Sequence, residues 1–142
     1  MRQFLCLFCV VFLMSCSSSK VTVYNQTMDQ RFLASTHAKT PDPRNTKDFI
    51  GQRLVVRTNV SKKELKKHDF VAKVYVQYGN RTQEVYTFDI NKSTSDHIVT
   101  LMEEQFQKKR GIATYKVELF KDGQIDAVFE HQLWCPLIHL SD

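Results

Sequence analysis

Apolar and polar residues alternate with a period of two along most of the chain after residue 50, and this pattern predicts β-strands. In an early example, Leu54, Val56 and Val60 fall on one face. In the last example, Ile125 and Phe129 do the same. The alternating segments predict seven strands, near residues 31–36, 53–60, 70–78, 83–90, 97–102, 113–120 and 125–134.

Turn-forming residues between these segments predict the connections. Gly79-Asn80 offers positive φ for a two-residue hairpin turn, and Asp122-Gly123 is the strongest short hairpin signal in the chain. Gly123 is therefore predicted to have a structural role. Ser61 stands before the lysine-rich segment 62–67, which is predicted to be either one helical turn capped by Ser61 or a charged loop.

Residues 96–111 carry two patterns at once. Ile98, Leu101 and Phe106 lie on one stripe of a helix, and Gly111 stands at a C-cap position. The rival interpretation is a strand at 97–102 followed by a turn-rich corner. The helix predicts an α+β domain, with an antiparallel sheet and one helix at about 96–110. The strand predicts a mainly β sandwich, which we prefer because the remaining strands then have two sheets in which to pair.

The N-terminus has a different pattern. Arg2 precedes an apolar run, residues 4–14, and the chain becomes polar at residue 17. A positive start, a short apolar run and a small residue before the cleavage point are typical of a secretory signal. The run is shorter than the roughly 20 residues that span a bilayer.

The sequence Leu-Met-Ser-Cys at residues 13–16 resembles the lipobox of bacterial lipoproteins, with Leu13 three residues before the cysteine and Ser15 directly before it. The resemblance implies cleavage between Ser15 and Cys16. It also implies a diacylglycerol, with fatty acids such as palmitate, on the Cys16 thiol. Ser17 is not the aspartate that retains some lipoproteins at the inner membrane. The expected location is therefore the bacterial cell envelope, anchored by lipid at the outer membrane.

This resemblance sets the expected domain organisation. Residues 1–15 are the signal peptide, residues 16–30 are the lipidated cysteine and a flexible tether, and residues 31–142 are the folded domain. Four Asn-x-Ser/Thr triplets favour a rival interpretation, a glycosylated eukaryotic secreted domain. They begin at Asn25, Asn59, Asn80 and Asn91. Such triplets are common by chance, so the lipobox has more weight.

Residues 111–119, Gly-Ile-Ala-Thr-Tyr-Lys-Val-Glu-Leu, resemble strand F of immunoglobulin-like domains. The resemblance implies that Tyr115 is a tyrosine-corner residue, whose hydroxyl bonds back to the corner before the strand. The chain lacks the cysteine pair and the third-strand tryptophan of antibody domains, since its single tryptophan is Trp134. The expected fold is a generic immunoglobulin-like β-sandwich of about seven strands.

Cysteine usage and net charge bear on two properties of the chain, its disulfides and its binding partners. Cleavage before Cys16 would leave Cys135 as the only cysteine without a lipid, so no disulfide is expected within the mature chain. Arg2 is the only charged residue in the signal, so the net charge falls from +5 to +4 on cleavage. This mild excess is mixed with acids, as on an ordinary solvated surface. Nucleic acid is not an expected partner of an exported, anchored protein.

The sequence offers little catalytic chemistry. The five histidines show no helical i, i+4 pair, and we expect no metal site and no cofactor. A hydrolase or metal-dependent enzyme would have to use His131, Asp126 and Cys135. We expect instead that Cys135 is a buried, inert thiol in a packed terminal strand.

Two surface features indicate binding. Two basic groups would form one positive patch if their loops adjoin. They are Lys62, Lys63, Lys66 and Lys67 in the first group, and Lys108, Lys109 and Arg110 in the second. Trp134 and Val128 would form an apolar patch if both face outwards. The expected function is a non-enzymatic, lipid-anchored module that binds an envelope or extracellular protein. The alternatives are the hydrolase and a purely structural envelope component.

Overall fold

A computed structural model describes residues 19–32, 38 and 50–136 of the chain, and its strands form two antiparallel sheets. The strands are β1 (Val21–Met28), β2 (Gly51–Asn59), β3 (Phe70–Tyr78), β4 (Gln83–Asp89), β5 (Thr94–Met102), β6 (Ile112–Lys121) and β7 (Gln124–Glu130). The helical segments are α1 (Lys62–Leu65), α2 (Glu103–Lys109) and a 3-10 turn at Gln30–Phe32. None of these helices is long and apolar enough to cross a membrane.

The core lies between the two sheets and is built from the alternating apolar positions. In β3, every second residue from Phe70 to Tyr78 is buried. Leu54 and Val56 of β2 and Val117 and Leu119 of β6 are fully enclosed. Period-two alternation turns these residues to one side of each sheet, so the two inner faces meet as an apolar layer.

The strand order confirms the predicted sandwich. The three-stranded sheet has the order β1-β2-β5, and the four-stranded sheet has the order β4-β3-β6-β7. The two sheets hold seven strands, which is the number expected for the sandwich. Every pairing is antiparallel.

The tether prediction is wrong for residues 21–28. These residues form β1, whose whole length pairs with β2 from Val21 opposite Thr58 to Met28 opposite Gly51. Val21 and Val23 are buried in the core, and their burial stabilises the strand although the rest of the segment is polar. The predicted strand at 31–36 is also wrong at its start, because residues 30–32 form the 3-10 turn. Residues 33–36 lie outside the described part.

The two interpretations of residues 96–111 each hold for part of the segment. Residues 94–102 form β5, paired along its length with β2. The helix expected from 96 is therefore wrong up to Met102. The corner that follows is α2, and its C-cap residue Arg110, with φ 58°, stands just before Gly111.

One of the two predicted hairpin turns is confirmed. Asp122 and Gly123 have φ of 49° and 82°, as a type I′ turn requires. At Gly79-Asn80 the positive φ falls instead on Arg81, at 67°. Gly79 is needed for a different reason, because a Cβ there would collide with the backbone of Arg110.

The sandwich has two ends, which we name by their helices. The α1 end carries α1, the β4–β5 connection, the β6–β7 turn and Lys20 at the start of β1. The α2 end carries α2, the β3–β4 turn and the segment 131–136 after β7. The first described residues and the last ones therefore lie at opposite ends.

Candidate functional site

The two basic groups do not form one patch, which corrects the sequence prediction. Lys62, Lys63, Lys66 and Lys67 belong to α1 and the loop after it, whereas Lys108, Lys109 and Arg110 belong to α2 and its C-cap. Strand β2 starts beside the end of β5 and finishes before α1, so the length of the sandwich separates the groups.

The α1 end brings a fifth lysine to the first group. Lys92, in the β4–β5 connection, lines an open groove of about 460 Å³ together with Lys62 and Lys66. Leu65 forms part of its floor. We call Lys62, Lys63, Lys66, Lys67 and Lys92 the α1-end lysine cluster. All five side chains are exposed, and none has an ion pair to a described residue.

Helix α1 is short and is fixed by its cap and by ion pairs. Ser61 accepts a hydrogen bond from the Glu64 amide at 3.2 Å, as predicted for an N-cap. Lys20 lies 3.1 Å from Glu64 and 2.9 Å from Asp126. The hydrogen bond from Lys20, together with one from Ser61, lowers the pKa of Glu64 to about 2. These contacts tie the start of β1 to α1 and β7.

Three acids of this end, Glu64, Asp122 and Asp126, have partners outside the lysine cluster. Asp126 accepts from Lys20, and Lys121 lies 3.7 Å from Glu64. Asp122 accepts from the Asp69 amide at 2.9 Å and lies 2.6 Å from His68 Nδ1. Asp122 and Asp126 are therefore paired on the β6–β7 side. Asp69 and Asp89 are exposed near Leu65 and Asn91, have no ion pair to a described residue, and offset part of the positive charge of the cluster.

Lys109 has a structural role at the α2 end instead of forming an exposed patch. Its ammonium group pairs with Glu84 and lies 4.3 Å from the centre of the Tyr78 ring. Tyr78 and Tyr86 donate hydroxyl hydrogen bonds to Glu84 at 2.8 and 2.6 Å. Lys109 is the main cause that lowers the pKa of Glu84 to about 2, and burial raises the pKa of Tyr78. The cluster fastens α2 to β3 and β4.

Trp134, which follows β7, packs over the four-stranded sheet that contains Val128, but the two residues do not form one patch. Trp134 packs on Tyr75, with ring centroids 6.3 Å apart, and the nearby Gln77 donates to the Cys135 carbonyl at 2.7 Å. Val128 is about half exposed on β7, beyond the ion pairs of Lys116 with Glu118 and Glu130. Paired charge therefore occupies the middle of this face.

The solvent face of the three-stranded sheet carries a row that the sequence prediction missed. Tyr24, Val55 and Ile98 are neighbours in register across β1, β2 and β5. Tyr24 is 46% exposed and Ile98 is 51% exposed. We call these three residues the Tyr24 row. The sequence pattern predicts a tether at Tyr24, so it does not indicate that Val55 and Ile98 lie beside this residue.

Arginines border the Tyr24 row on both sides. Arg57 lies 5.9 Å from the centre of the Tyr24 ring and makes a two-contact ion pair with Asp96 at 2.7 and 2.8 Å. Arg53 donates to Gln26 at 2.6 Å and lies 5.8 Å from the centre of the Phe32 ring. Tyrosine and arginine are enriched among the residues that contribute most binding energy in protein interfaces. The Tyr24 row combines an exposed tyrosine with arginines held at its edge.

The residues of the enzyme alternative are not brought together. Asp126 lies at the α1 end with Lys20, whereas His131 and Cys135 follow β7 at the α2 end. His131 Nδ1 is 3.3 Å from Thr114 Oγ1. Cys135 is exposed, so the prediction of a buried thiol is wrong. Within residues 19–32 and 50–136, no group of three His, Cys, Asp or Glu side chains could hold a metal ion.

Tyr115 is a core residue of β6, buried beside Phe129, with ring centroids 6.2 Å apart. Its hydroxyl makes no hydrogen bond to another described residue, so the tyrosine corner is not formed within this part of the chain. Gly123 has the predicted structural role in the β6–β7 turn. Ser15 and Cys16 lie outside the described residues.

Comparisons with known proteins give no relative. No protein-family model, no curated protein and no solved structure matches the chain.

Proposed function

We propose that this protein is a non-enzymatic binding module, lipid-anchored at Cys16 in a bacterial envelope, and that it binds a partner protein through the Tyr24 row. The binding proposal rests on the exposed position of the Tyr24 row. It is a continuous apolar line across all three strands of one sheet, with arginines at its border.

The row suits a protein partner because the side chains at its border are already held in place before binding. Arg57 is fixed by Asp96 and Arg53 by Gln26, so little side-chain freedom remains to be lost. The aromatic and aliphatic groups can be desolvated at the centre while the ion pair stays at the rim. Strand β5 is also an edge of its sheet, which leaves room for a partner beside Ile98.

The anchor is tested by the intact mass of the protein taken from its native membrane, compared with the Cys16→Ala variant. The expected result is a chain that starts at Cys16 and carries acyl groups, with the lipid absent from the variant. An unlipidated chain bearing glycan mass would contradict the bacterial envelope and support a secreted eukaryotic domain.

The binding surface is tested by photocrosslinking at the native membrane. A photoreactive residue at position 98 should give a discrete crosslinked product, and Tyr24→Ala should reduce that product about tenfold or more. The matched control is Val128→Ala, a truncation of an equally exposed residue on the other sheet. A row that gives no product, or a product that Tyr24→Ala leaves unchanged, would rule the surface out.

A further inference from the structure

We infer that the α1-end lysine cluster docks the domain onto anionic phospholipid headgroups of the membrane that holds its anchor. The inference deepens the proposed function, since it rests on lipidation at Cys16. It arises from the structure of β1, which takes up most of the segment that the sequence assigned to a tether.

The chain between the anchor and the fold is very short. Strand β1 begins at Val21, and Lys20 is already fixed by Glu64 and Asp126. Three residues lie between Cys16 and Lys20, so four Cα–Cα steps join the two. A fully extended chain gains at most about 3.5 Å per residue, so Lys20 can be no more than roughly 14 Å from the lipidated residue.

The strand direction decides which end is held at the bilayer. Residue 20 lies at the α1 end, because Val21 pairs with Thr58 and the Asn59 amide donates to the Lys20 carbonyl. The end of the sandwich held near the lipid is therefore the one that carries the α1-end lysine cluster. Arg81, Lys108 and Arg110 lie at the far end.

The charges of the cluster are suited to a headgroup layer. Lys62, Lys66 and Lys92 surround one open groove, with Ser93 and Thr94 along the same lining. Ammonium groups and hydroxyls that line one groove can donate to lipid phosphates. Each lysine near an anionic surface strengthens attachment by about fivefold, and the force acts within a Debye length of about 8 Å. The anchor holds the cluster close to this range.

The experiment measures lysine acylation in the native lipidated protein, reconstituted into vesicles of phosphatidylcholine alone or mixed with phosphatidylglycerol. On the anionic vesicles, labelling of Lys62, Lys66 and Lys92 should slow by roughly tenfold. Labelling of Lys108 should stay the same, and about 1 M salt should remove the protection because it shortens the Debye length to about 3 Å.

A charge variant separates the cluster from general attraction. Lys62→Gln, Lys66→Gln and Lys92→Gln together should weaken docking by about a hundredfold, so Lys63 and Lys67 become as reactive as on neutral vesicles. The matched control removes the same charge from the far end, with Arg81→Gln, Lys108→Gln and Arg110→Gln, and should keep the protection. All six side chains are exposed, and circular dichroism checks the fold.

The peptides analysed for lysine labelling also show whether Cys16 carries its lipid. A lipidated Cys16 peptide, together with equal lysine labelling on both vesicle types, overturns the docking and leaves the anchor intact. An unacylated protein that stays in solution overturns the anchor and the docking together. An unacylated protein that still pellets with anionic vesicles, and loses this in the triple variant, overturns the anchor alone and supports the lysine surface.

Discussion

Leu119 and Ile125 lie close together on the last hairpin but differ in exposure. Leu119 has no exposed surface and is surrounded by the core, whereas Ile125 is 56% exposed. Leu119→Ala should lower the free energy of unfolding by about 3 kcal/mol, since it removes buried methyl groups and leaves a cavity. Ile125→Ala, the matched control, should change it by no more than about 0.5 kcal/mol. Urea unfolding of both variants measures this, and equal effects would contradict the assigned faces.

Glu84 should titrate far below a free carboxylate because Lys109, Tyr86 and Tyr78 all bond to its charged form. A depressed pKa gives stability that is complete above the unfolded value of 4.5 and is lost as the pH falls towards 2. Lys109→Met removes the largest cause, so the Glu84 midpoint should move up towards 4.5.

Carbon-detected NMR of the Glu84 carboxyl measures the midpoint in both proteins. Lys108→Met is the control, because the neighbouring Lys108 is exposed and is not one of the groups that shift Glu84. If Lys108→Met moves the midpoint as much as Lys109→Met does, general charge and not the specific contact sets the pKa.

His97 should make the fold sensitive to mild acid. It stacks on Phe88 at 4.7 Å and lies 3.0 Å from Ser95 Oγ, and burial lowers its pKa below 6.5. The folded state therefore binds fewer protons than the unfolded state, so stability is complete above pH 6.5 and falls as the pH drops below it. His97→Gln should flatten this part of the pH profile in urea unfolding. If His97→Gln leaves the slope of stability against pH unchanged, titratable groups other than His97 cause the loss of stability in acid.

At the scale of elements, β1 shows where sequence patterns fail. Its only regular apolar positions are Val21 and Val23, and the rest of the segment is polar enough to resemble a tether. The pairing with β2 decides the outcome, and no local pattern shows that β2 lies alongside. In contrast, β3 and β6 were predicted within a residue or two because every second position is apolar.

Strand β1 can be tested by a charge at its buried face. Val21→Asp should lower the free energy of unfolding by about 3 kcal/mol, because the carboxylate has no partner in the core. Asn25→Asp places the same group on the exposed part of β1 and should have little effect. Calorimetry of both variants measures the difference. If Val21→Asp leaves the stability unchanged, residues 21–28 are not a buried strand and the tether prediction is correct.

Helix α2 and β5 share a sequence in which both periods are present. Leu101 fits the helical stripe and the strand alternation equally well, so the local pattern cannot choose. The full-length pairing of β5 with β2 makes residues 94–102 a strand. Beyond Met102 the pairing partner ends at Gly51, and the chain is free to form a helix.

At the scale of the whole molecule, the sandwich was predictable from the sequence, but the surfaces were not. Fold follows from patterns along the chain, which the alternation displays. A surface joins residues that are distant in sequence, such as Tyr24 and Ile98, or Lys62 and Lys92. The lysines of α1 and α2 look equivalent in the sequence, and only strand direction places them at opposite ends.

The same strand direction has a mechanical consequence. Tension between a lipid anchor before Lys20 and a load on residues 131–136 pulls at opposite ends of the sandwich. Such a force runs along β1, and the hydrogen bonds that join β1 to β2 lie across it, so they resist in parallel instead of opening one by one. In an optical trap, rupture between positions 20 and 136 should need more force than rupture between positions 20 and 122, which share one end.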